Sequence, residues 1–375
     1  MELLDIQKRV ISEIDLNALE ENFNKIPKPV CCVVKADAYG HGSIVVSRFL
    51  EKFGASYFAV SNIEEAIELR NGGIKAPILI LGFTSPTCAK SLSDYNIDQC
   101  VFSLEYAKEL NQNAINSDVN INIHIKIDTG MGRIGFQFHD LHNELDDALA
   151  ASKLSNLTPY GIFMHFAKAD EGVNDYTINQ YNNFIKAVNY LENSGIKFKV
   201  HHCANSSAIL DYPSYHLDMV RAGIILYGVN PSPLNHEVKP IMTLKSRVSF
   251  VKEVFKGDSI SYNGLYKAET NTRIATIPVG YADGIARELT GFYVLINNKK
   301  CKIVGRVCMD QIMVESTDAK VGDEVIIYGD GVSVCDAANF LKTSPYKLLC
   351  GIGRRVPRVY KYDGKIVDIR DDLIK

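Results

Sequence analysis

The chain has 375 residues of near-average composition and a net charge of −3, which leaves room for two domains and favours neither nucleic acid nor anionic membrane as a partner. No basic segment precedes an apolar stretch, and no apolar run approaches the roughly 18 residues of a membrane helix, so we expect neither secretion nor membrane insertion. None of the nine cysteines has CxxC spacing, which predicts reduced thiols in a cytoplasmic protein.

The first part of the chain alternates between apolar strands and amphipathic helices. Asp15 precedes an apolar stripe that starts at Leu16 and predicts a capped helix, and Asn62 with Glu65 matches a capping box. Further helices are predicted at 104–112, 140–151 and 177–193. Eight strand candidates favour a (β/α)8 barrel over an open doubly wound sheet. They are residues 30–34, 57–60, 78–81, 99–102, 120–127, 160–163, 198–202 and 219–221.

The pattern changes after Pro231, where a proline-rich linker leads into short strands. One helix is predicted at 335–342, and Asp363-Gly364 predicts a two-residue hairpin between 358–362 and 366–369. The strand candidates start at 241 and include 272–278, 293–297, 302–307, 311–315 and 324–328. We therefore predict an α/β protein with an N-terminal (β/α)8 barrel at 1–233 and a mainly antiparallel β domain at 234–375. About the first 12 residues are a candidate addition to the β domain.

Polar side chains follow five of the predicted barrel strands. Each alone fits an ordinary snorkelling or half-buried residue, but five strand ends on one barrel face predict a cleft for an anionic ligand. The residues are Lys35, Lys126 with Asp128 and Arg133, His165, His202 with Asn205 and Ser206, and Arg221 with Gly223 and Ile224.

The last two of these strand ends suit a phosphate group. Their loops offer hydroxyls and approachable backbone N–H groups, and Lys35 supplies an amine on the same face. This combination predicts pyridoxal phosphate held as a Schiff base. A weaker alternative is a dinucleotide-binding protein, since residues 130–135 match GxGxxG. That motif follows the fifth strand rather than the first and contains Arg133.

Three longer motifs carry a family resemblance: VVKADAYGHG at 33–42, IKIDTGMGRIG at 125–135 and VCMDQ at 307–311. With them the chain resembles the alanine racemase family, pyridoxal-phosphate enzymes with a barrel and a C-terminal β domain. Matching stretches run nearly end to end. The resemblance implies racemisation of alanine, D-alanine for peptidoglycan, and a cytoplasmic head-to-tail homodimer without a metal.

The resemblance also implies residue roles. Lys35 is the cofactor lysine and the base for the D-enantiomer, and Tyr262 is the base for the L-enantiomer, entering the barrel of the partner subunit. Arg133 and the Met309 backbone N–H are the implied substrate-carboxylate contacts. The implied cofactor positions are Tyr39, His165, Asn205, Ser206, Arg221, Gly223, Ile224 and Tyr346. The supporting positions are Lys126, which is carbamylated in many members, His202 behind Arg221, Tyr281 at the substrate entrance, and Asp310.

These roles agree with the chemistry of racemisation, which needs bases on opposite faces of Cα. An arginine at the ring nitrogen weakens the electron sink and restrains side reactions. Tyr262 needs a cationic or hydrogen-bonding neighbour, for which His165 is the candidate. From local sequence alone, Tyr262 and Met309 fit ordinary strand packing instead.

Two positions and three alternatives complete the interpretation. Asp37 stands where many members have Asn, and Tyr346 favours alanine over serine, because serine-specialised relatives have Asn there. A racemase of serine or of broader specificity is one alternative. A non-catalytic pyridoxal-phosphate barrel protein is the second, and the β domain fits it poorly. A barrel decarboxylase is the third, and the motifs fit it poorly.

Overall fold

The computed structural model describes residues 9–139 and 142–374. Its strands are β1 Val10–Asp15, β2 Val30–Val33, β3 Tyr57–Val60, β4 Ile78–Ile80, β5 Ile97–Val101, β6 Ile121–Asp128, β7 Phe136–His139, β8 His142–Asn143, β9 Leu157–Phe163, β10 Val200–His202, β11 Val220–Ala222, β12 Met242–Arg247, β13 Phe250–Val254, β14 Ser259–Ile260, β15 Tyr266–Lys267, β16 Thr272–Ile277, β17 Tyr293–Ile296, β18 Lys299–Val304, β19 Ile312–Glu315, β20 Glu324–Tyr328, β21 Arg358–Tyr362 and β22 Lys365–Arg370. Its α-helices are α1 Leu16–Asn24, α2 Lys35–Gly40, α3 Ser43–Lys52, α4 Ile63–Asn71, α5 Ala89–Asp94, α6 Leu104–Asn116, α7 Leu145–Ser152, α8 Asp175–Asn193, α9 Ser206–Asp211, α10 Val334–Phe340 and α11 Pro345–Cys350.

The chain divides into two compact units. The barrel unit comprises Glu20–Ala38 and Ser43–Val238, and the sheet unit comprises the chain up to Leu19, residues Tyr39–Gly42 and the chain from Lys239 onward.

The barrel unit confirms the predicted (β/α)8 barrel. Within the described residues, eight parallel strands follow the order β10-β9-β6-β5-β4-β3-β2-β11, and each predicted strand has its counterpart. The barrel closes between β10 and β11, where Asp218 N–H donates to the His201 carbonyl at 3.1 Å and Arg221 N–H donates to the Ala204 carbonyl at 2.9 Å. Continuous apolar runs such as β3 are buried along their whole length, as parallel strands covered on both faces must be.

Both predicted helix caps form, but the predicted capping box of Asn62 and Glu65 is not completed. Asp15 Oδ1 accepts from Asn17 N–H at 2.8 Å at the start of α1, and Asn62 accepts from Glu65 N–H at 2.9 Å at the start of α4. The Glu65 carboxylate accepts from the N–H groups of Ser61 and Ala36, both at 2.7 Å. Glu65 thus ties α4 to the residue that follows Lys35 rather than completing a capping box.

The helix predicted at 140–151 begins later than expected. Residues 140 and 141 lie outside the described residues, His142–Asn143 form the short strand β8, and the helix starts at Leu145. β8 pairs antiparallel with β7, which pairs parallel with the end of β6. The polar residues His142 and Asn143 therefore belong to a short strand beside the barrel sheet.

The sheet unit confirms a mainly-β domain. In the described part of the chain, ten strands follow the order β13-β16-β19-β18-β17-β20-β12-β1-β21-β22. β1 pairs antiparallel with β12 and parallel with β21, so the mainly antiparallel sheet includes one parallel pair. Asp363 and Gly364 have φ values of 49° and 71°, which fits the predicted two-residue hairpin between β21 and β22.

Two predictions for the sheet unit were wrong in detail. A second helix, α11, follows α10, and its six residues are too few to show a clear apolar period. The strand predicted at 302–307 ends at Val304, so the VCMDQ motif lies in a loop.

The cysteines and helices agree with the composition. All nine cysteines lie in the described part of the chain, and none of them forms a disulfide. Among the helices of residues 9–139 and 142–374, none has the length and apolar character needed to span a bilayer.

Candidate functional site

The barrel strands carry basic and imidazole side chains to one rim. Because these strands run parallel, their carboxyl ends share the rim where barrel enzymes place their chemistry. Lys35 follows β2 closely, Lys126 lies near the end of β6, and Arg221 lies in β11. His165 follows β9, and His202 ends β10. The predicted polar positions of the barrel therefore do lie at neighbouring strand ends.

Arg221 is held from several sides by acceptors of the barrel. One terminal nitrogen donates to His202 Nδ1 at 3.0 Å and to the His202 carbonyl at 2.9 Å. The other donates to the carbonyls of Met164 at 2.8 Å and Cys203 at 3.0 Å, and lies 3.4 Å from His165 Nδ1. Burial lowers the pKa of Arg221 to about 10, so the guanidinium stays charged at neutral pH.

The two histidines beside Arg221 are neutral at neutral pH. Burial is the largest cause that lowers the pKa of both His165 and His202 well below 6.5, and the charge of Arg221 is the next. The cations that lower the pKa of His165 are, in order, Arg221, Lys126, Arg133 and Lys35. The structure thus brings the predicted cations around this ring. The expectation that His165 neighbours the tyrosine base stays a prediction.

Lys126 is a buried lysine on the fifth barrel strand. Its Nζ donates to the Ile127 carbonyl at 3.0 Å. Burial is the main cause that lowers the pKa of Lys126 to about 7, since a charged amine is costly away from water. At neutral pH a large fraction of this side chain is therefore a neutral, nucleophilic amine.

The glycine-rich loop after β6 wraps around the carboxylate of Asp128. That carboxylate accepts, at 2.8 to 3.1 Å, from the backbone N–H groups of Gly130, Met131, Gly132 and Arg133. Burial acts to raise the pKa of Asp128, but these donors and Lys126 bring the pKa below its ordinary value. A dinucleotide loop keeps such N–H groups for phosphate. The geometry therefore removes the basis of the dinucleotide alternative and anchors the backbone of Arg133.

The loops after β10 and β11 converge on one hydroxyl. Ser206 Oγ accepts from Gly223 N–H at 3.0 Å and from Ile225 N–H at 3.5 Å. Asn205 caps α9 through a 3.0 Å bond from Ala208 N–H, so its side chain orients the segment that carries Ser206. Ile224 lies between the two donors, so the Ser206 hydroxyl joins the loop after β11 to the loop after β10.

The turn that begins at Lys35 is left-handed. Ala36, Asp37, Ala38 and Tyr39 have φ values of 52° to 54°, a conformation that non-glycine residues rarely adopt in succession. Within the barrel unit, Ala38 N–H donates to the Val34 carbonyl at 2.8 Å, and Ala36 N–H is held by Glu65. Strain of this kind concentrates at functional sites.

The remainder of this turn belongs to the sheet unit, where strand β21 binds it. Buried Arg358 donates to the Gly40 carbonyl at 3.0 and 3.1 Å, and the Tyr360 hydroxyl donates to the His41 carbonyl at 2.9 Å. The rings of Tyr39 and Tyr346, both predicted cofactor positions, lie 5.7 Å apart between centroids. The sheet unit therefore fixes Tyr39 beside Tyr346.

Tyr262 lies on an exposed turn of the sheet unit. Its side chain is 63% exposed, and the flanking residues Ser261 and Asn263 have φ values of 66° and 62°. Ser261 Oγ donates to the Arg306 carbonyl at 2.8 Å, which ties the turn to the neighbouring loop. Packing across a strand, the ordinary explanation for this tyrosine, is therefore wrong.

Tyr281 and Met309 lie on two loops that bind each other. Tyr281 N–H donates to the Cys308 carbonyl at 3.0 Å, and Ala282 N–H donates to the Met309 carbonyl at 3.0 Å. Met309 is 53% exposed, so the local expectation of a buried strand residue is wrong. The Gly280 position needs glycine, because a Cβ there would lie 2.3 Å from the Cys308 carbonyl oxygen.

A buried carboxylate supports these two loops. Asp283 accepts from Gly280 N–H at 2.9 Å and from Arg9 at 3.0 Å, and it lies 3.0 Å from the Arg355 guanidinium. Arg355 also donates to Asp310 at 2.7 Å. Asp310, a predicted supporting residue, is therefore joined through Arg355 to the loop that carries Tyr281.

Sequence reasoning missed several residues that organise the site. Glu65, Asp283 and Arg358 act through contacts distant in sequence, which no local pattern shows. His124 offered a usable signal: it alternates with Lys126 and Asp128 on one face of β6, where a buried strand would otherwise be apolar. Within the described residues, no group of three or more His, Cys, Asp or Glu side chains is placed to hold a metal ion.

Comparisons with known proteins agree on one family. Residues 14–231 match the family model "Alanine racemase, N-terminal domain" and residues 241–360 match "Alanine racemase, C-terminal domain". An alanine racemase of Clostridium tetani is 45% identical, and the match covers 96% of this chain and 98% of that protein.

Solved structures agree as well. The alanine racemase of Clostridium difficile 630 superposes with a TM-score of 0.93 at 40% identity, covering 98% of this chain and 100% of that chain. The Bacillus anthracis alanine racemase with bound L-Ala-P gives 0.90 at 35% identity, covering 98% and 99%. The fold, the site and these matches define an amino-acid racemase, which is an isomerase. The chain belongs to the alanine racemase family.

Proposed function

We propose that this chain interconverts L-alanine and D-alanine with pyridoxal 5′-phosphate as its cofactor. The observation that carries the proposal is the match to alanine racemases over nearly the whole chain, at 45% identity to the Clostridium tetani protein. The basic rim supports it, because cations around His165 suit the carboxylate of the substrate and the phosphate of the cofactor.

The donors of the barrel unit fit this cofactor. Ser206 Oγ and the N–H groups that converge on it would hold a phosphate. In the described part of the chain, the terminal nitrogens of Arg221 are directed at protein acceptors, which leaves its Nε–H for the ring nitrogen. Lys35 would hold the cofactor through its amine. The other proposed cofactor positions are Tyr39, His165, Asn205, Gly223, Ile224 and Tyr346. When bound, the cofactor supplies the electron sink for the Cα–H bond.

Lys35 and Tyr262 are the proposed acid–base pair. Racemisation removes a proton from one face of Cα and delivers one to the other face. We assign Lys35 to the D-enantiomer and Tyr262 to the L-enantiomer. Arg133 and the Met309 N–H would bind the substrate carboxylate, which keeps Cα in register between the bases.

The remaining positions support this pair. His202 would hold Arg221, Lys126 would act as a carbamate that orients Arg133, Tyr281 would line the entrance, and Asp310 would steady the Met309 loop through Arg355. Three observations support these roles. Arg221 is hydrogen-bonded to His202, burial lowers the pKa of Lys126, and Asp310 forms an ion pair with Arg355.

We further propose a head-to-tail homodimer in which Tyr262 enters the partner's barrel. The 63% exposure of Tyr262 on a strained turn supports this, since such strain persists where it serves a site. We place the barrel domain at 1–233 and the β domain at 234–375. The pairing of β1 with β12 and β21 supports assigning about the first 12 residues to the β domain. Free thiols support a cytoplasmic enzyme, whose D-alanine would serve peptidoglycan.

The test is a racemase assay of the holoenzyme on alanine, serine and lysine. We expect L-alanine to lose its optical rotation and to be turned over best, because Tyr346 favours alanine. Lys35→Ala should lower turnover by about a thousandfold or more, whereas Lys108→Ala, an exposed helical lysine, should leave it unchanged. Normal turnover by Lys35→Ala would overturn the proposed function. Equal turnover of serine and alanine would overturn the argument from Tyr346.

A further inference from the structure

A chain of buried polar side chains runs from Arg221 into the interior of the barrel unit. His202 Nδ1 lies 3.0 Å from Arg221, and His202 Nε2 lies 2.9 Å from His124 Nδ1. His124 Nε2 in turn lies 3.4 Å from Asp98 Oδ2 and 3.3 Å from the Tyr57 hydroxyl. The Tyr57 hydroxyl also donates to Asp98. All five side chains are buried. The proposed function uses only two of them, Arg221 and His202.

The positions of the protons along this chain follow from its two ends. A guanidinium can only donate, so His202 Nδ1 accepts and the proton of a neutral His202 is on Nε2. His202 Nε2–H then donates to His124 Nδ1, which places the proton of His124 on Nε2. That proton faces the Tyr57 hydroxyl at 3.3 Å, and the Tyr57 hydroxyl donates its own proton to Asp98. Each hydrogen bond therefore points from Arg221 toward Asp98.

The barrel reserves space for the middle member of this chain. Gly161 on β9 faces the His124 ring, and a Cβ at position 161 would lie 2.3 Å from His124 Nδ1. The Gly161 backbone does not have a positive φ, although the pairing register of β6 and β9 shifts at this point. The glycine is therefore explained by the imidazole beside it rather than by the backbone.

We propose that His124 and Asp98 are positioning residues that hold His202 in its Nε2–H tautomer and so hold Arg221 in place at the barrel rim. Arg221 favours this tautomer from one side, and His124 completes it by accepting from Nε2–H on the other. If His124 is lost or turned, Nε2–H loses its buried acceptor, and the tautomer with the proton on Nδ1 gains population although it faces a donor of Arg221. The assignment of Arg221 to the cofactor rests on the proposed function. The tautomer of His202 does not.

The experiment combines two variants with one control in the holoenzyme. His124→Phe removes both ring nitrogens, and Gly161→Ala keeps His124 but moves its ring. His201→Phe is the matched control. His201 lies next to His202 in β10, but it pairs with Asp218 and Glu192 instead of His124. Ring ¹⁵N spectra of histidine-labelled protein report the tautomer of His202, and alanine racemisation reports kcat and KM.

We expect His202 to be a single Nε2–H tautomer in the parent protein and in His201→Phe, and a mixture in both His124→Phe and Gly161→Ala. In those two variants kcat should fall by about tenfold, the scale of one buried hydrogen bond, with KM for alanine little changed. An unaltered His202 tautomer in folded Gly161→Ala would overturn the inference, whatever happens to kcat. A parent protein with the expected tautomer but no racemase activity would overturn the proposed function instead.

Discussion

Lys126 is a residue whose burial costs the folded state free energy. Its pKa falls from 10.5 in the unfolded chain to about 7 in the folded protein, so between these values the unfolded state binds more protons. By linkage, stability then rises with pH across this window and is flat below about 7, where both states are protonated. The slope of a single such group approaches about 1.4 kcal/mol per pH unit.

This slope gives a first prediction at the scale of one residue. Lys126→Met keeps the length of the side chain and removes the amine. In buffer freed of carbon dioxide, the free energy of unfolding of the parent protein should rise, relative to the variant, from about pH 7 toward pH 10. Urea unfolding at several pH values measures the difference. Parallel pH profiles for the two proteins would contradict a depressed pKa for Lys126.

The same amine gives a second prediction, because a neutral amine is the form that adds carbon dioxide. With ¹³C-labelled bicarbonate, the parent protein should show a carbamate carbon signal, and Lys126→Met should lack it. The carbamate would place an anion near Arg133 and Arg221, two cations that act on Lys126. Identical ¹³C spectra of the two proteins would show that Lys126 stays unmodified.

At the scale of elements, the turn α2 depends on contacts far from its own sequence. A left-handed conformation costs roughly 1–2 kcal/mol per non-glycine residue, so the run from Ala36 to Tyr39 is strained. In the barrel unit Glu65 holds the start of the turn, and in the sheet unit Arg358 and Tyr360 hold its end. These bonds offset the strain and set the direction in which Lys35 and Tyr39 leave the backbone.

Gly40 should tolerate no side chain in this turn. Its φ is 82°, and a Cβ there would lie 2.3 Å from the Leu349 carbonyl oxygen. Gly54 is a matched control, since its φ is 94° but nothing lies within 4 Å of its Cβ position. We expect Gly54→Ala to cost about 1 kcal/mol and Gly40→Ala about 3 kcal/mol or more. Urea midpoints measure both, and equal losses would mean that Leu349 yields easily.

Sequence patterns predicted some of these elements and not others. The barrel strands and the hairpin at Asp363 were predictable, because burial on both faces and turn chemistry leave local signals. The left-handed turn was not, since tertiary bonds from Arg358 impose a conformation against local preference. Local sequence predicted Tyr262 and Met309 to be strand residues. Their exposure depends on which loops meet in the fold, and local sequence does not show that. Their placement followed from family motifs, not from pattern.

At the scale of the whole molecule, the proposed roles divide the catalytic pair between two units of the fold. Lys35 belongs to the barrel unit and Tyr262 to the sheet unit. If the proposed head-to-tail dimer forms, each complete site takes Lys35 from one protomer and Tyr262 from its partner. A two-fold assembly then contains two sites, each built from both chains.

Mixed dimers test this division. Lys35→Ala and Tyr262→Phe should each be nearly inactive alone. Co-expressed in equal amounts, they should regain about a quarter of parental activity, because half of the random dimers hold one intact site. Racemase activity per dimer is the measurement, and each variant paired with itself is the control. Mixtures no more active than the separate variants would assign both bases to one chain.

The position of β1 has a consequence for the order of folding during synthesis. This strand is translated before the barrel strands, yet it lies between β12 and β21 in the completed sheet. The contact from Ser246 to Arg9 spans 237 positions, and both β12 and β21 are translated after the barrel. Both edges of β1 therefore stay open while the barrel is being translated, and open edges invite pairing with other chains. Translation speed and nascent-chain chaperones should thus affect the yield of this protein more through its first strand than through its barrel.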